Sequence, residues 1–411
     1  MLEFPNLIVS AFLFVSLFFE IFLLLTFLEN KKGLKTTLKG VYLPSTTIVV
    51  PCFNEEESIF GTVESLLKLD YPKDKLKIMI VDDGSTDNSW NLIQRYANHP
   101  QIELHKKENG GKHTALNYAI SKSKSEILGC LDADSFVEPD ALINLVAYFE
   151  NKETMAVTPA IKIYKPDNIL RKIQKVEYDW GILLRKMYSF LDAMYVTPGP
   201  FSFFRREVFE NIGNYRHAHN TEDMEMAMRM QSHGLKIENC HTAFVYTIAP
   251  NKFGKLYKQR LRWTHGFLKN IIDYKRFFFN KKQGNLGFFV LPIVVVSTLS
   301  TLWFAGSIIV NTTSNILNGF QNWRAINFNF QSFTGFHFNW FYFDTDTTSF
   351  VVFLAFAISV ILVLIGQKMS EGKVKLSTDL FYFFIIYPLI APIWLSKAVY
   401  NILIAKGTTW R

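Results

Sequence analysis

Asp132-Ala133-Asp134 places two carboxylates one residue apart, at the end of the apolar run 126–131. Two hard anionic oxygens at that spacing can share Mg²⁺ or Mn²⁺, which takes one or two carboxylates and completes its shell with substrate phosphate oxygens. A lone Asp-x-Asp is weak evidence, and its neighbours give it weight. Asn54-Glu55 and Asp82-Asp83-Gly84-Ser85 also follow short apolar runs. Asp-Gly pairs are ordinary turn residues, so any one cluster reads as a turn, whereas three of them after three apolar runs read as a site. Thr221-Glu222-Asp223 opens a helix-like stretch, 224–233, and alone would be an N-cap with first-turn acids. Gln259-Arg260-Leu261-Arg262-Trp263 alone would be a basic helix beside a membrane, with Trp at the interface.

Asn109-Gly110-Gly111-Lys112 precedes a helical pattern, so its amides and one ammonium are placed to face an anion. It is not a Walker A loop, because Lys106 and His113 stand where that motif has Gly and Ser or Thr. A dinucleotide G-x-G-x-x-G is missing, and no Ser-His or Cys-His pair is apparent in these motifs.

The elements that must hold these residues alternate. Strand-like runs at 46–50, 77–81, 102–105 and 126–131 are separated by helical patterns at 56–68, 88–96 and 114–121. That rhythm predicts an α/β domain with a mostly parallel sheet flanked by helices. In such sheets ligands bind outside the carboxyl ends of the strands, where the three polar clusters fall.

Around this domain the composition changes. Of the 411 residues 49% are hydrophobic and only 19% charged, with 39 Phe, which excludes a disordered chain. Three scattered cysteines exclude a disulfide scaffold. Residues 7–28 form an apolar run broken only by small hydroxyls and Glu20, long enough to cross a bilayer core of roughly 30 Å. Basic residues follow the run rather than precede it, so it reads as an uncleaved anchor with its N-terminus outside. Glu20 is expected to face other helices. Three further spans are expected at 287–310, 349–366 and 380–405. The net charge of +8 could suggest nucleic acid, but ten basic residues against one acid in 252–282, and Lys31, Lys32, Lys35 and Lys39 after the first run, follow the positive-inside pattern. No nucleic-acid partner is expected. The domains are therefore 1–40, an anchor; 41–280, a cytosolic domain with a basic interfacial segment; and 281–411, a membrane region.

Taken in order, Pro51-Cys52-Phe53-Asn54-Glu55-Glu56, Val81-Asp82-Asp83-Gly84-Ser85-Thr86-Asp87, Asn109-Gly110-Gly111-Lys112 with Ala115-Leu116-Asn117, Asp132-Ala133-Asp134, Thr221-Glu222-Asp223 and Gln259-x-x-Arg262-Trp263 resemble the inverting family 2 glycosyltransferases. Within these the resemblance is to membrane polysaccharide synthases, the poly-β-1,6-N-acetylglucosamine synthases above all, with hyaluronan and cellulose synthases related. His113 departs from the small residue more usual there. The resemblance implies a glycosyltransferase A-type fold and a UDP-sugar donor. It implies that Asn54, Glu55 and Asp83 hold uridine, with Lys112 near the nucleotide. Asp132 would contact ribose or sugar and, with Asp134, the Mg²⁺ or Mn²⁺ ion. Asp223 would be the general base, and Gln259 and Arg262 would steady the diphosphate. Trp263 and Glu222 would meet the acceptor. It further implies a polysaccharide acceptor, surrounding membrane lipids and a small accessory membrane subunit as a candidate partner.

Two enzyme readings compete, a processive synthase that helps to export its polymer and a single-transfer enzyme acting on a lipid such as polyprenyl phosphate or diacylglycerol. A catalytically dead scaffold is disfavoured by the intact acids and Arg262. Four plain spans would leave the C-terminus outside, whereas the resemblance puts 406–411 in the cytosol near the site. An incomplete last span, interrupted by Pro388, Pro392 and Lys397, is the expectation that reconciles them.

Overall fold

The computed structural model describes residues 4–35, 42–325 and 347–404. Lys39 and the tail 406–411 lie outside the described residues, as does most of the polar stretch 321–343.

Strand β1 (Thr46–Cys52) is rich in β-branched residues and almost wholly buried, as a central strand covered on both faces must be. Parallel to it lie β2 (Leu76–Asp82) and, beyond that, β3 (Ile102–Lys106); β4 (Ile127–Cys130) pairs on its other side. The helices α2 (Ile59–Leu67), α3 (Ser89–Gln94) and α4 (Lys112–Lys122) make the crossovers. Cys52 stands opposite Asp82 and Val49 opposite Cys130, so the polar residues after β1, β2 and β4 reach one edge together.

The sheet continues with strands that the sequence reading did not place. After β5 (Ser135–Val137) and α5 (Ala141–Val146) come β6 (Thr154–Ile163), α6 (Ile169–Phe190), β7 (Ser202–Arg205) and α7 (Arg206–Ile212). Then follow α8 (Glu222–Ser232), β8 (Lys236–Thr247) and α9 (Phe253–Asp273). All eight strands form one sheet in the order β3-β2-β1-β4-β7-β6-β8-β5. β7 runs antiparallel to β4 and β6, β8 is parallel to β6, and β5 is antiparallel to β8. The parallel half is the one expected; the other half is mixed. Apolar layers cover both faces, with Ile48, Val50, Ile78 and Ile80 in one and Val49, Met79, Val81 and Leu128 in the other. That division follows the period-2 alternation of strand side chains.

Among the described residues four helices are long and apolar enough to cross a membrane. They are α1 (Phe4–Glu29), α10 (Leu291–Ala325), α11 (Thr347–Glu371) and α12 (Thr378–Leu403). α10 exceeds its expected span, because Asn311-Thr312-Thr313-Ser314-Asn315 continue as helix rather than starting a loop. The expected interruption of the last span does not occur, since α12 passes through Pro388 and Pro392 as one helix. Pro removes one donor without forbidding a span where packed neighbours satisfy the freed carbonyls. Glu20 is buried and accepts a hydrogen bond from Ser359 of α11, so it faces another helix as expected.

α6 joins the two parts of the molecule. Lys175 pairs with Asp179 at 3.0 Å and with Glu371 of α11 at 2.8 Å. Asn285, just before α10, donates to the Leu191 carbonyl at 3.0 Å. Gly366 lets α11 touch α6, because a β-carbon there would lie 2.4 Å from the Asp179 carbonyl.

Candidate active site

The carboxyl edge of the parallel half gathers residues far apart in sequence. Lys112, at the start of α4, is the centre: its ammonium lies 2.5 Å from Asp132 and 3.6 Å from Glu222. One cation thus ties the loop after β4 to the first turn of α8. Burial lowers the proton affinity of Lys112, but Asp132 and Glu222 more than offset this and hold it well above the ordinary lysine range. Gly199 packs against this pair; a β-carbon there would lie 2.4 Å from the Lys112 ammonium and 3.0 Å from the Asp132 carboxylate. Gly199→Ala is expected to push Lys112 aside without unfolding the sheet. The loss of one charge-assisted contact, worth roughly 1.5 kcal/mol, should lower the thermal midpoint, as a melting curve would measure.

Asp134 is different. Ser135 donates to it at 3.2 Å, and among the described residues no basic side chain forms an ion pair with it. Burial, then the Asp132 and Glu55 carboxylates, push its pKa up to about 7. A half-buried carboxylate beside a second carboxylate suits a hard divalent ion. Among the described residues no three His, Cys, Asp or Glu side chains gather as a metal site. Asp132 and Asp134 would therefore leave the remaining positions to ligand oxygens, as Mg²⁺ and Mn²⁺ sites on phosphates commonly do.

Asp223 sits in the first turn of α8, with its carboxylate accepting from the Met224 amide at 2.9 Å. The Asp223 carbonyl accepts from the Thr197 hydroxyl at 2.8 Å, which binds α8 to the loop that carries Gly199. Burial, then the Glu222 carboxylate, push Asp223 up to about 6, against the pull of Lys112. A carboxylate poised there is the usual state of a general base working near neutral pH.

The residues expected on the nucleotide side are placed less simply. Asp83 accepts from Lys107 at 2.6 Å and from the Gly110 and Gly111 amides at 3.2 and 2.8 Å. The amides that the sequence offered to an external anion are thus taken by Asp83, and the anion-facing reading of that loop is corrected. Lys107 was missed, because a lysine in a surface-like Lys-Lys-Glu run carries no signal of its own. Asn54, at φ 56°, accepts from the Thr86 amide at 2.8 Å and locks the β1 turn to the β2 turn. The Glu55 amide donates to Ser89 at 2.8 Å. His113 stands edge-on to His217 with ring centres 5.4 Å apart, its pKa lowered by burial and then by His217.

α9 presents two faces. Arg262, Gly266 and Asn270, spaced by one turn, face the segment before α8: Arg262 donates to the Asn220 carbonyl at 3.3 Å and Asn270 to the Thr221 hydroxyl at 2.9 Å. That segment is held in an uncommon conformation, with Ala218, His219 and Asn220 all at positive φ. Gln259, three residues before Arg262, lies on this same side of the helix, and its amide oxygen is buried with no hydrogen-bond partner among the described residues. Trp263 lies under the Arg260 guanidinium, 4.5 Å from the ring centre.

Residues 47–213 match the model of glycosyl transferase family 2. Among its relatives is the poly-β-1,6-N-acetyl-D-glucosamine synthase of Staphylococcus aureus (strain COL), 30% identical over 264 residues, 64% of this chain and 63% of the relative. The synthase of the same name from Staphylococcus epidermidis is 26% identical over 321 residues, 76% of this chain and 74% of that one. The chain thus spans a little under two thirds of the first relative's length. In structure it resembles a mannosyltransferase from Pyrobaculum calidifontis, solved with GDP-Man and Mn²⁺, with TM-score 0.62 at 20% identity over 97% of this chain and 99% of that one. The fold is accordingly of the glycosyltransferase A type, with candidate membrane helices at both ends.

Proposed function

We propose that this chain is an inverting, processive glycosyltransferase. It transfers a sugar from a UDP-sugar to a growing polysaccharide and helps to pass the product through its membrane helices. The observation that carries the reading is the Lys112 junction, which joins Asp132 and Glu222 beside Asp134 and Asp223. N-acetylglucosamine as the sugar rests on likeness to the staphylococcal relatives. The three-part organisation, 1–40, 41–280 and 281–411, belongs to the same proposal, with the middle part in the cytosol and a multi-pass cell-membrane location.

In this mechanism Asn54, Glu55 and Asp83 hold the uridine, while Lys112, Gln259 and Arg262 bind the diphosphate. Asp132 and Asp134 hold Mg²⁺ or Mn²⁺. Such an ion, when bound, stabilises the charge that grows on the leaving diphosphate. Trp263 and Glu222 place the acceptor. Asp223 takes the proton from the acceptor hydroxyl as its oxygen bonds to the sugar C1 and the C1–diphosphate bond breaks, so one displacement inverts the centre. No protein nucleophile is needed.

A proton on Asp223 blocks this step, so transfer at saturating metal should fall as pH drops through about 6 and level off above it. A rate profile between pH 5 and 8 checks this; a flat profile would remove Asp223 as the base. The function itself is tested by incubating membranes with each of several radiolabelled UDP-sugars and sizing the product. A polymer is expected, and one labelled lipid band would replace processive synthesis with single transfer.

A further inference from the structure

The second face of α9 leads into the membrane. Arg260 is buried and pairs with Glu177 of α6 at 2.7 Å. The other oxygen of that carboxylate accepts from the Tyr387 hydroxyl of α12 at 2.9 Å. Tyr387 is itself fixed by ring contacts to Phe383, at 5.2 Å, and Trp394, at 6.1 Å. The Arg260 guanidinium then covers Trp263. A continuous chain of contacts therefore runs from a membrane helix, through one buried ion pair, to Trp263 on α9.

We propose that Glu177, Arg260 and Tyr387 are positioning residues that set the height of Trp263 over the acceptor, so that α12 governs how the acceptor is held. The inference rests on the acceptor role proposed above for Trp263. Its physical basis is that a planar guanidinium is fixed by a carboxylate on one side and stacks on an aromatic face on another, which lysine cannot reproduce. The donor side is served by Lys112, Asp132 and Asp134 from other elements, and by Gln259 and Arg262 from a different face of α9, where the Asn220 carbonyl holds Arg262. Loosening the clamp should therefore affect the acceptor alone.

Tyr387→Phe removes one hydroxyl and keeps the ring packing. In the full-length protein in nanodiscs, hydrogen exchange over 253–273 is expected to quicken while 46–130 is unchanged. With a short β-1,6-linked N-acetylglucosamine oligosaccharide as acceptor, its KM should rise roughly threefold to tenfold, as for the loss of one ordinary hydrogen bond. Polymer length should shorten, and the KM for the UDP-sugar should stay fixed. Arg260→Lys, which keeps the charge, should share the acceptor defect. Glu177→Gln breaks a buried pair and can unfold the chain, so the tyrosine variant is decisive. Unchanged exchange over 253–273 overturns the clamp whatever the activity. Unchanged acceptor KM and product length in a polymerising protein overturn its functional part. A wild-type protein that transfers no sugar overturns the proposed function instead, and exchange still scores the clamp.

Discussion

Asp223→Asn is expected to reduce sugar transfer by about 10²- to 10⁴-fold, the usual contribution of a general base, while UDP affinity is retained. The amide keeps the size of the carboxylate and can still accept from the Met224 amide, but it cannot take a proton. Stability gives a second signature. The folded-state pKa of Asp223 lies above its unfolded value, so folding favours the protonated form, and the unfavourable burial of charge is fully present above about pH 6. A neutral residue there should leave the thermal midpoint at pH 7.5 unchanged or raise it. Steady-state rates, UDP titration and melting curves on one preparation check all three. Wild-type turnover in the variant would remove Asp223 from the mechanism.

Asp134→Ala should be nearly as severe, with transfer falling by on the order of 10³, because polarisation of a phosphoryl oxygen by a bound ion is worth several kcal/mol. The direct readout is Mn²⁺ binding followed by electron paramagnetic resonance, with the nucleotide present. The wild-type protein should bind the ion and the variant should not. In the metal-free protein Asp134 holds its proton up to about pH 7. Ion affinity should therefore weaken as pH falls below 7, because the ion must displace that proton. Full activity of the wild-type protein in excess EDTA would contradict this role.

How much of this was legible in the sequence differs between the two halves of the sheet. β1, β2 and β4 announce themselves as β-branched or apolar runs ending in polar clusters, and parallel pairing brings those ends to one edge. The antiparallel seam does not announce itself. β7 is only Ser202-Phe203-Phe204-Arg205, too short to show a period. β6 contains Pro159, which ordinarily argues against an interior strand; the structure accommodates it where the β6–β8 register shifts between Thr158 and Ala160. In the site, the residue types of Lys112, Asp132, Glu222 and Asp223 were readable, but their meeting was not. It depends on Gly199 and on the Thr197 link to Asp223, which lie in a loop with no motif of its own. Glu177 and Tyr387 were invisible for a related reason, since a Glu on an amphipathic helix and a Tyr in an apolar one are unremarkable until α6 and α12 are packed.

The order of the strands has a consequence for the chain as it is being made. β5 ends at Val137, but its sheet partner β8 begins only at Lys236, about 100 residues later. At roughly 5–20 residues per second of synthesis, β5 waits some 5–20 s for its neighbour. β6 waits for β7 and β8 in the same interval. During that time α1 has already left the ribosome and, by the topology proposed above, moored the unfinished domain at the bilayer surface. The anchor thereby confines a sticky intermediate to two dimensions, near lipid and away from the bulk of the cytosol, where unpaired strand edges of other nascent chains would meet it.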